Sequence, residues 1–588
     1  MTTPTRREQC APHVLRDYAF IADGERGALV GPDGDMAWMC APQWDSDAVF
    51  GGLIGGRGGY TITPVDRYVW GGYYEPGSLI WRNRWVTTDN RFECREALAY
   101  PADPHRAVVL RRVVAMERAV RVRVALQPRG GFGKQALTHL RCTDGIWTGR
   151  TGDLRIRWTG GEQAQVLGSR GDAALEFELR VPAGQHHDFV LEISDEALPD
   201  DLDSADNLWR STETAWQREV PTLDNCLSPR DTRHSYAVLR GLTSGGGGMV
   251  AAATTSLPER AEAGRNYDYR YVWIRDQCLA AHGVAASGAH GLLDDAVRFV
   301  TARLLEHGPA LAPAYTVTGS PIPDQSRLRL PGYPGGSDRI GNWVNKQFQL
   351  DAFGEALLLY AEAERHDRMD GDAWRAVRVA VDAIAQRWTE PDAGIWELEP
   401  RAWTHSRLIC TAGLRAVAAA NPDTGAAGEW LGLADRILAD TTANALHPTG
   451  RWQRSPDDAA VDGALLLSGI RGAVAPDDPR TIATLAAFES DLTQDGYAYR
   501  FRHDERPLSE AEGSFLLCGF LMALAKHQAG DDVSAMGWYE RTRAACGSPA
   551  LYAEEFDTRE HQLRGNVPQA FVHALHLETS ARLSEGSS

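Results

Sequence analysis

The stretch "NKQFQLDAFGEALLLYAEA", Asn345 to Ala363, sets Leu350, Phe353, Leu357, Leu358 and Ala361 at the spacing of one buried helix face. Asp351 and Glu355 ride on the same helix, four residues apart, where like charges repel. Gly354 between them lowers helix propensity by about 1 kcal/mol. Helix stability alone would select none of the three.

The same period governs the chain after about Asp203. "DDAVRFVTARLLEH", "DAWRAVRVAVDAIAQRW", "EWLGLADRILADTTANAL", "SFLLCGFLMALAKHQ" and "NVPQAFVHALHLETSARL" repeat apolar residues at three and four, and predict roughly a dozen helices. The loops between them are very unequal. Some are as short as a helical hairpin needs; others, such as "TVTGSPIPDQSRLRLPGYPGGSDRIGN", are long and rich in Gly and Pro. Long structured loops on one side of a helical array usually carry a binding site, and the pattern suits a toroid of paired helices.

Before Asp203 the period is two. "VRVRVAL" alternates Val120, Val122, Val124 and Leu126 against Arg121 and Arg123, and "LEFELRV" alternates Leu175, Phe177, Leu179 and Val181 against Glu176, Glu178 and Arg180. With turn signals such as "TTDN" and "PRGG" between them, these strands predict an antiparallel β-sandwich.

The 588 residues exceed one compact core, and a net charge of −18 without a basic stripe argues against nucleic acid as a partner. An uncharged substrate fits better. No secretory signal and no membrane-spanning apolar run is read, so a cytoplasmic protein is expected. Nine cysteines scatter from Cys10 to Cys546 without a CxxC pair, as reduced thiols do. "SGGGGMV" at Ser244 lacks the Gly-Lys-Ser/Thr of a phosphate loop, and no HExxH or GxSxG motif occurs. No metal is assigned and no cofactor is expected to be required; nothing excludes an oligomer.

Three clusters mix charge with aromatics. "NYDYRYVWIRDQ" interleaves Asp268, Arg270, Arg275 and Asp276 with Tyr267, Tyr269, Tyr271 and Trp273, which suits either sugar binding or a buried ion-pair network. "DRIGNWVNKQFQLDAFGE" supplies Arg339, Asn342, Trp343, Gln347, Asp351 and Glu355 where a loop enters a helix; Asp351 there could equally favour the helix N-terminus. In "SEAEGSFLLCGF", Glu510 and Glu512 precede an apolar helix and could cap it with Ser509. Two remote carboxyls held roughly 6.5–9.5 Å apart would instead leave room for the water of an inverting glycosidase.

"YDYRYVWIRDQ", "GYPGGSDRIGN" with "QFQLDAFGE", "DAGIWELEPRAWTHSRL", "EGSFLLCGF" and "GNVPQAFVHALHL" occur in the order and approximate spacing of glycoside hydrolase family 15, which holds glucoamylases, glucodextranases and prokaryotic trehalases. "IADGERGALVGPDGDMAWMCAPQWDSDAVFGGLIGG" also resembles the start of its bacterial members. The resemblance implies an α+β multidomain chain: a β-sandwich over 1–205, a linker helix region over 206–235 and an (α/α)6 barrel over 236–588. It implies inverting, exo-acting hydrolysis of a short α-glucoside such as trehalose, isomaltose or a malto-oligosaccharide. Carried over by motif, Glu355 is the expected general acid, with Asp351 tuning it or replacing it, and Glu512 the general base. Arg275, Asp276, Tyr271, Trp273, Arg339, Asn342, Trp343, Asp351, Trp396 and Glu397 are the expected sugar-binding residues. Arg407 stands where Lys is expected, and Leu521 where Trp is common. The alternatives are a phosphorolytic enzyme of similar architecture, which needs only one carboxylate, and a carbohydrate-binding protein without catalysis.

Overall fold

The computed structural model describes residues 11–169, 171–260, 265–422 and 425–585. The alternating segments form the expected sandwich. An eight-stranded antiparallel sheet runs in the order Leu137–Thr143, Ile146–Thr151, Leu154–Thr159, His186–Ser194, Arg106–Ala115, Arg91–Leu98, Trp81–Thr87, Tyr68–Tyr74. Facing it are Gln165–Leu167, Ala174–Val181, Val120–Gln127 and Gly59–Pro64. Val122 pairs with Leu179 and Val124 with Phe177, so the apolar sets of "VRVRVAL" and "LEFELRV" share one inward face.

A smaller meander, Ala19–Ala22, Gly27–Val30, Met36–Cys40 and Ala48–Phe50, lies between the sandwich and the helices. Its alternate residues enter different cores. Ala19, Ile21, Ala28, Val30, Met36 and Met39 pack into the sandwich, whereas Phe20, Ala22, Leu29, Trp38 and Cys40 pack into the helical half. Both faces are therefore buried, and the sequence there is nearly continuously apolar.

In the helical half an inner ring closes on itself: Ile274–Ala286 packs on Asp351–Arg365, then follow Thr404–Ala420, the short Leu467–Ile470, Leu516–Gln528 and Ala570–Glu585, which returns to Ile274–Ala286. Each inner element carries an outer helix: Pro229–Leu242, Gly291–His307, Gly371–Arg387, Gly425–Ala445, Pro479–Leu492 and Asp532–Arg543. This is an (α/α)6 barrel. Inner helices are buried nearly all round, while outer ones such as Gly371–Arg387 bury one stripe.

The helix Ala205–Glu219 packs on the sandwich, with Trp216 stacked on Tyr100 at 4.9 Å and Trp209 under Arg95 at 4.4 Å. Pro229–Leu242 runs straight through the boundary expected at 236 and packs on Ala570–Glu585. The barrel thus begins at Pro229, at the N-terminal position that proline favours.

Candidate active site

Connections from inner to outer helices are short, as at 287–290, 366–370 and 529–531, whereas those from outer to inner are long: 243–273, 308–350, 388–403, 446–462, 493–515 and 544–569. All the long ones gather at the end where inner helices begin. There a cavity of about 620 Å³ opens. A second concavity, about 400 Å³, lies on the Ala205–Glu219 helix and holds Arg210 and Arg218 but no carboxylate.

One wall of the large cavity is aromatic. Tyr267 stacks on Tyr269 with centroids 6.3 Å apart, and Tyr269 meets Trp273 edge-on at 5.6 Å. Trp396, also lining the cavity, packs edge-on against Phe515 at 5.4 Å. Arg275 and Asp276, in the first turn of Ile274–Ala286, are paired at 3.1 Å, and Arg275 also donates to Gln349 Oε1 and to the carbonyl of Ile395. Arg339, Asn342 and Trp343 form the mouth; Trp343 is 58% exposed and carries Lys346 Nζ 5.4 Å from its ring.

Four carboxylates line this space, Glu259, Asp276, Glu397 and Glu554; Asp276 is paired with Arg275 and Glu259 with Arg500. Glu397 accepts from Trp273 Nε1 at 2.7 Å and lies 3.6 Å from Arg275, with its side chain 28% exposed. Its backbone stands at φ +54°, a left-handed conformation that costs a non-glycine residue about 1–2 kcal/mol. A closed loop sustains it. Asp392 and Arg401 exchange backbone hydrogen bonds, and the buried Asp392 carboxylate accepts from Gly394 N, Ser406 Oγ and the Arg407 guanidinium.

Glu554 lies deeper, 5% exposed, and Tyr269 Oη donates to its carboxylate at 3.2 Å. Burial and the neighbouring Glu259 push its carboxyl well up, against the pull of Arg500 and the Tyr269 hydrogen bond. Glu397, Trp273, Tyr269 and Glu554 therefore form one continuous line across the cavity wall.

Of the residues expected from sequence, Arg275, Asp276, Trp273, Arg339, Asn342, Trp343, Trp396 and Glu397 line the cavity. Glu355, Asp351, Glu512 and Tyr271 do not. Asp351 and Glu355 point from an inner helix into the barrel axis, are 0% exposed, and have no hydrogen-bond partner for any carboxylate oxygen. Burial pushes both up to about 7. A general acid must touch the glycosidic oxygen, and Glu355 is sealed from it by the packing of its own ring of helices.

Glu512 sits behind the wall. Its Oε1 receives Arg265 Nη1 at 2.8 Å, Arg500 Nε at 2.5 Å and His503 Nε2 at 3.0 Å. Burial would raise its pKa, but Arg500, His503 and Arg265 outweigh that and hold it at about 2. Buried at 3% exposure, Glu512 anchors the cavity-lining Arg265, Arg500 and His503 through that oxygen. Tyr271 is 1% exposed, in the apolar cluster of Ala251, Trp273, Ala314, Ile322 and Val344.

Glu554 is the residue the sequence reading missed. Its signal was "LYAEEFD", two adjacent carboxylates inside an apolar and aromatic run that leads into the central strand of the small sheet Ser514–Phe515, Glu555–Asp557, Gln562–Arg564. Among the described residues, one group could in principle hold a metal, His186, Asp188 and Asp206 on the sandwich. Its Asp188 and Asp206 are already taken by Arg112.

The family model described as "Glycosyl hydrolases family 15" matches residues 234–581, and a second, "Trehalase-like, N-terminal", matches 8–179. The chain belongs to glycosyl hydrolase family 15. It is 30% identical to "Trehalase" of Mycolicibacterium smegmatis over 97% of this chain and 91% of that one. It is 30% identical to "Trehalase" of Mycobacterium tuberculosis over 95% and 88%, and 27% identical to "Trehalase 1" of Sulfolobus acidocaldarius over 95% and 97%. A bacterial glucoamylase solved in complex with acarbose has a TM-score of 0.72 at 14% identity, covering 98% of this chain and 96% of that one, so the family 15 fold is shared. The protein is a trehalase-like glycoside hydrolase of this family. No helix among the described residues is long and apolar enough to cross a membrane.

Proposed function

We propose that this family 15 enzyme hydrolyses trehalose with inversion, using Glu397 as general acid and Glu554 as general base. The observation that carries the reading is that these two carboxylates, alone with Glu259 and Asp276, reach the cavity, and that full-length relatives are named trehalases. Depth assigns the roles. The leaving sugar departs through the open mouth, so the acid belongs to the more exposed Glu397, which Trp273 Nε1 orients by donating to its Oε1. The attacking water belongs on the enclosed side, where the Tyr269 hydroxyl and the charge of Arg500 favour the ionised Glu554 a base requires, opposing the burial and the Glu259 charge that push its carboxyl up.

In this reaction Arg275 and Asp276 grip hydroxyls of the terminal glucose, and Tyr269, Trp273 and Trp396 cover its faces. As the anomeric carbon becomes cationic, Glu397 protonates the glycosidic oxygen and Glu554 takes the proton of the water that attacks the opposite face. Arg339, Asn342 and Trp343 at the mouth receive the second glucose. The barrel axis below is packed by inner-helix side chains, so only a sugar end can enter, which makes the action exo. Hydrolysis requires a base as well as an acid, and a second carboxylate in the cavity favours it over phosphorolysis.

Glu397→Gln and Glu554→Gln should each lower kcat by about 10²–10⁴-fold with the fold intact by circular dichroism. Proton NMR of the first product from trehalose, isomaltose and maltose reads substrate and stereochemistry together. Equal amounts of β- and α-glucose at early times from trehalose, the β from the attacked ring and the α from the leaving one, formed faster than product from isomaltose or maltose, is the expected result; α-glucose alone at early times would exclude inversion at the attacked carbon.

A further inference from the structure

The segment Asp268–Arg270 has two sides. Tyr269 faces the cavity, while Asp268 and Arg270 face the sandwich, 0% and 1% exposed. Arg270 donates twice to Asp268, Nε to Oδ1 at 2.9 Å and Nη2 to Oδ2 at 2.7 Å. Its remaining Nη1 crosses to the N-terminal meander, meeting the carbonyl of Ser46 at 2.8 Å, that of Trp44 at 3.4 Å and Cys40 Sγ at 3.3 Å. The ring of Phe132, also from the sandwich, lies 5.7 Å from the guanidinium. Asp268 in turn accepts from Gly341 N at 3.0 Å, and its carbonyl accepts from Asn342 Nδ2 at 3.3 Å. One buried arginine thus ties together the sandwich, the residue beside Tyr269 and the rim of the mouth.

We propose that Arg270 is a positioning residue of the active site, through which the N-terminal domain holds Tyr269 against Glu554. The proposal rests on Glu554 being the base. The planar guanidinium supplies five donors in fixed directions; a lysine at the same place can reach one acceptor with a point charge and must release the others. With Asp268–Arg270 loosened, the Tyr269 hydroxyl drifts from the carboxylate it donates to. Proton transfer from water slows, and the carboxylate loses a donor that favours its ionised form.

The test is a pH–rate series on the full chain with the α-glucoside it hydrolyses fastest. Arg270→Lys should lower kcat by about 10–100-fold with KM little changed, and move the acidic limb of the profile to higher pH. Combined with Tyr269→Phe it should cost no more than Tyr269→Phe alone, since both act through one hydrogen bond. Phe132→Leu, a substitution in the other domain, should shift kcat and the limb in the same direction by less, and carries the test if Arg270→Lys does not fold. Unchanged kcat and limb in the folded variants, or losses that add with Tyr269→Phe, overturn the proposal. Glu554→Gln, run alongside, separates the two readings: an active Glu554→Gln removes the base assignment, whereas an inactive one beside an unperturbed Phe132→Leu removes only the role of Arg270.

Discussion

Asp351 and Glu355 are ionisable groups held without partners in a packed axis, and the field around each sets its proton. Arg275 near Asp351 and Arg471 near Glu355 pull the pKa values down, yet burial prevails and both stand at about 7. In the unfolded chain the same groups titrate in the ordinary carboxylate range. Between that range and pH 7 the folded state binds more protons, so their share of stability is full below about pH 4 and is lost as pH rises through 7. For Glu355 the loss is on the order of 3 kcal/mol. Glu355→Gln should therefore raise the melting temperature more at pH 8 than at pH 5, while turnover stays within a few-fold of wild type. A large loss of turnover would return Glu355 to the chemistry. The helix spacing that drew notice to Asp351 and Glu355 was legible in the sequence; whether an inner helix turns that face to a cavity or to a closed axis was not.

At the scale of elements, the 392–401 loop holds Glu397 in a strained backbone, and Arg407 is its brace. Arg407 reaches the Asp392 carboxylate and the carbonyls of Glu390 and Trp403 together. Lysine, the residue expected there from the family pattern, reaches one of them. Arg407→Lys should cost about 1–3 kcal/mol of stability by leaving buried acceptors unpaired, and should lower kcat more than it changes KM. Thermal melts and steady-state kinetics check both; a stability loss with kcat unchanged would show that Glu397 needs no brace. Most elements could be read in advance because their apolar periods survive: Val120–Gln127 alternates, and Gly371–Arg387 carries one stripe. The Ala19–Phe50 meander could not be read that way, because with both faces buried its alternation disappears.

At the scale of the molecule, the meander is a plate shared by two cores. Removing it would expose the helical residues that pack against Phe20, Leu29 and Trp38, and would cut the Trp38 Nε1 hydrogen bond to the carbonyl of Ala253. A chain beginning at residue 205 should aggregate, and the full chain should unfold calorimetrically as one cooperative transition. A soluble, active barrel, or two well-separated transitions, would contradict this coupling.

The amino-acid order alone determined the two architectures, the side of the barrel that carries the site, and most of the residues expected to line it, because periodicity and aromatic-charge clustering are local properties. Which carboxylates meet in one space was decided only by the tertiary structure. Glu397 and Glu554 come from loops far apart in the chain, while Glu355 and Glu512, equally well placed in their motifs, are turned by helix packing into the axis and behind the wall.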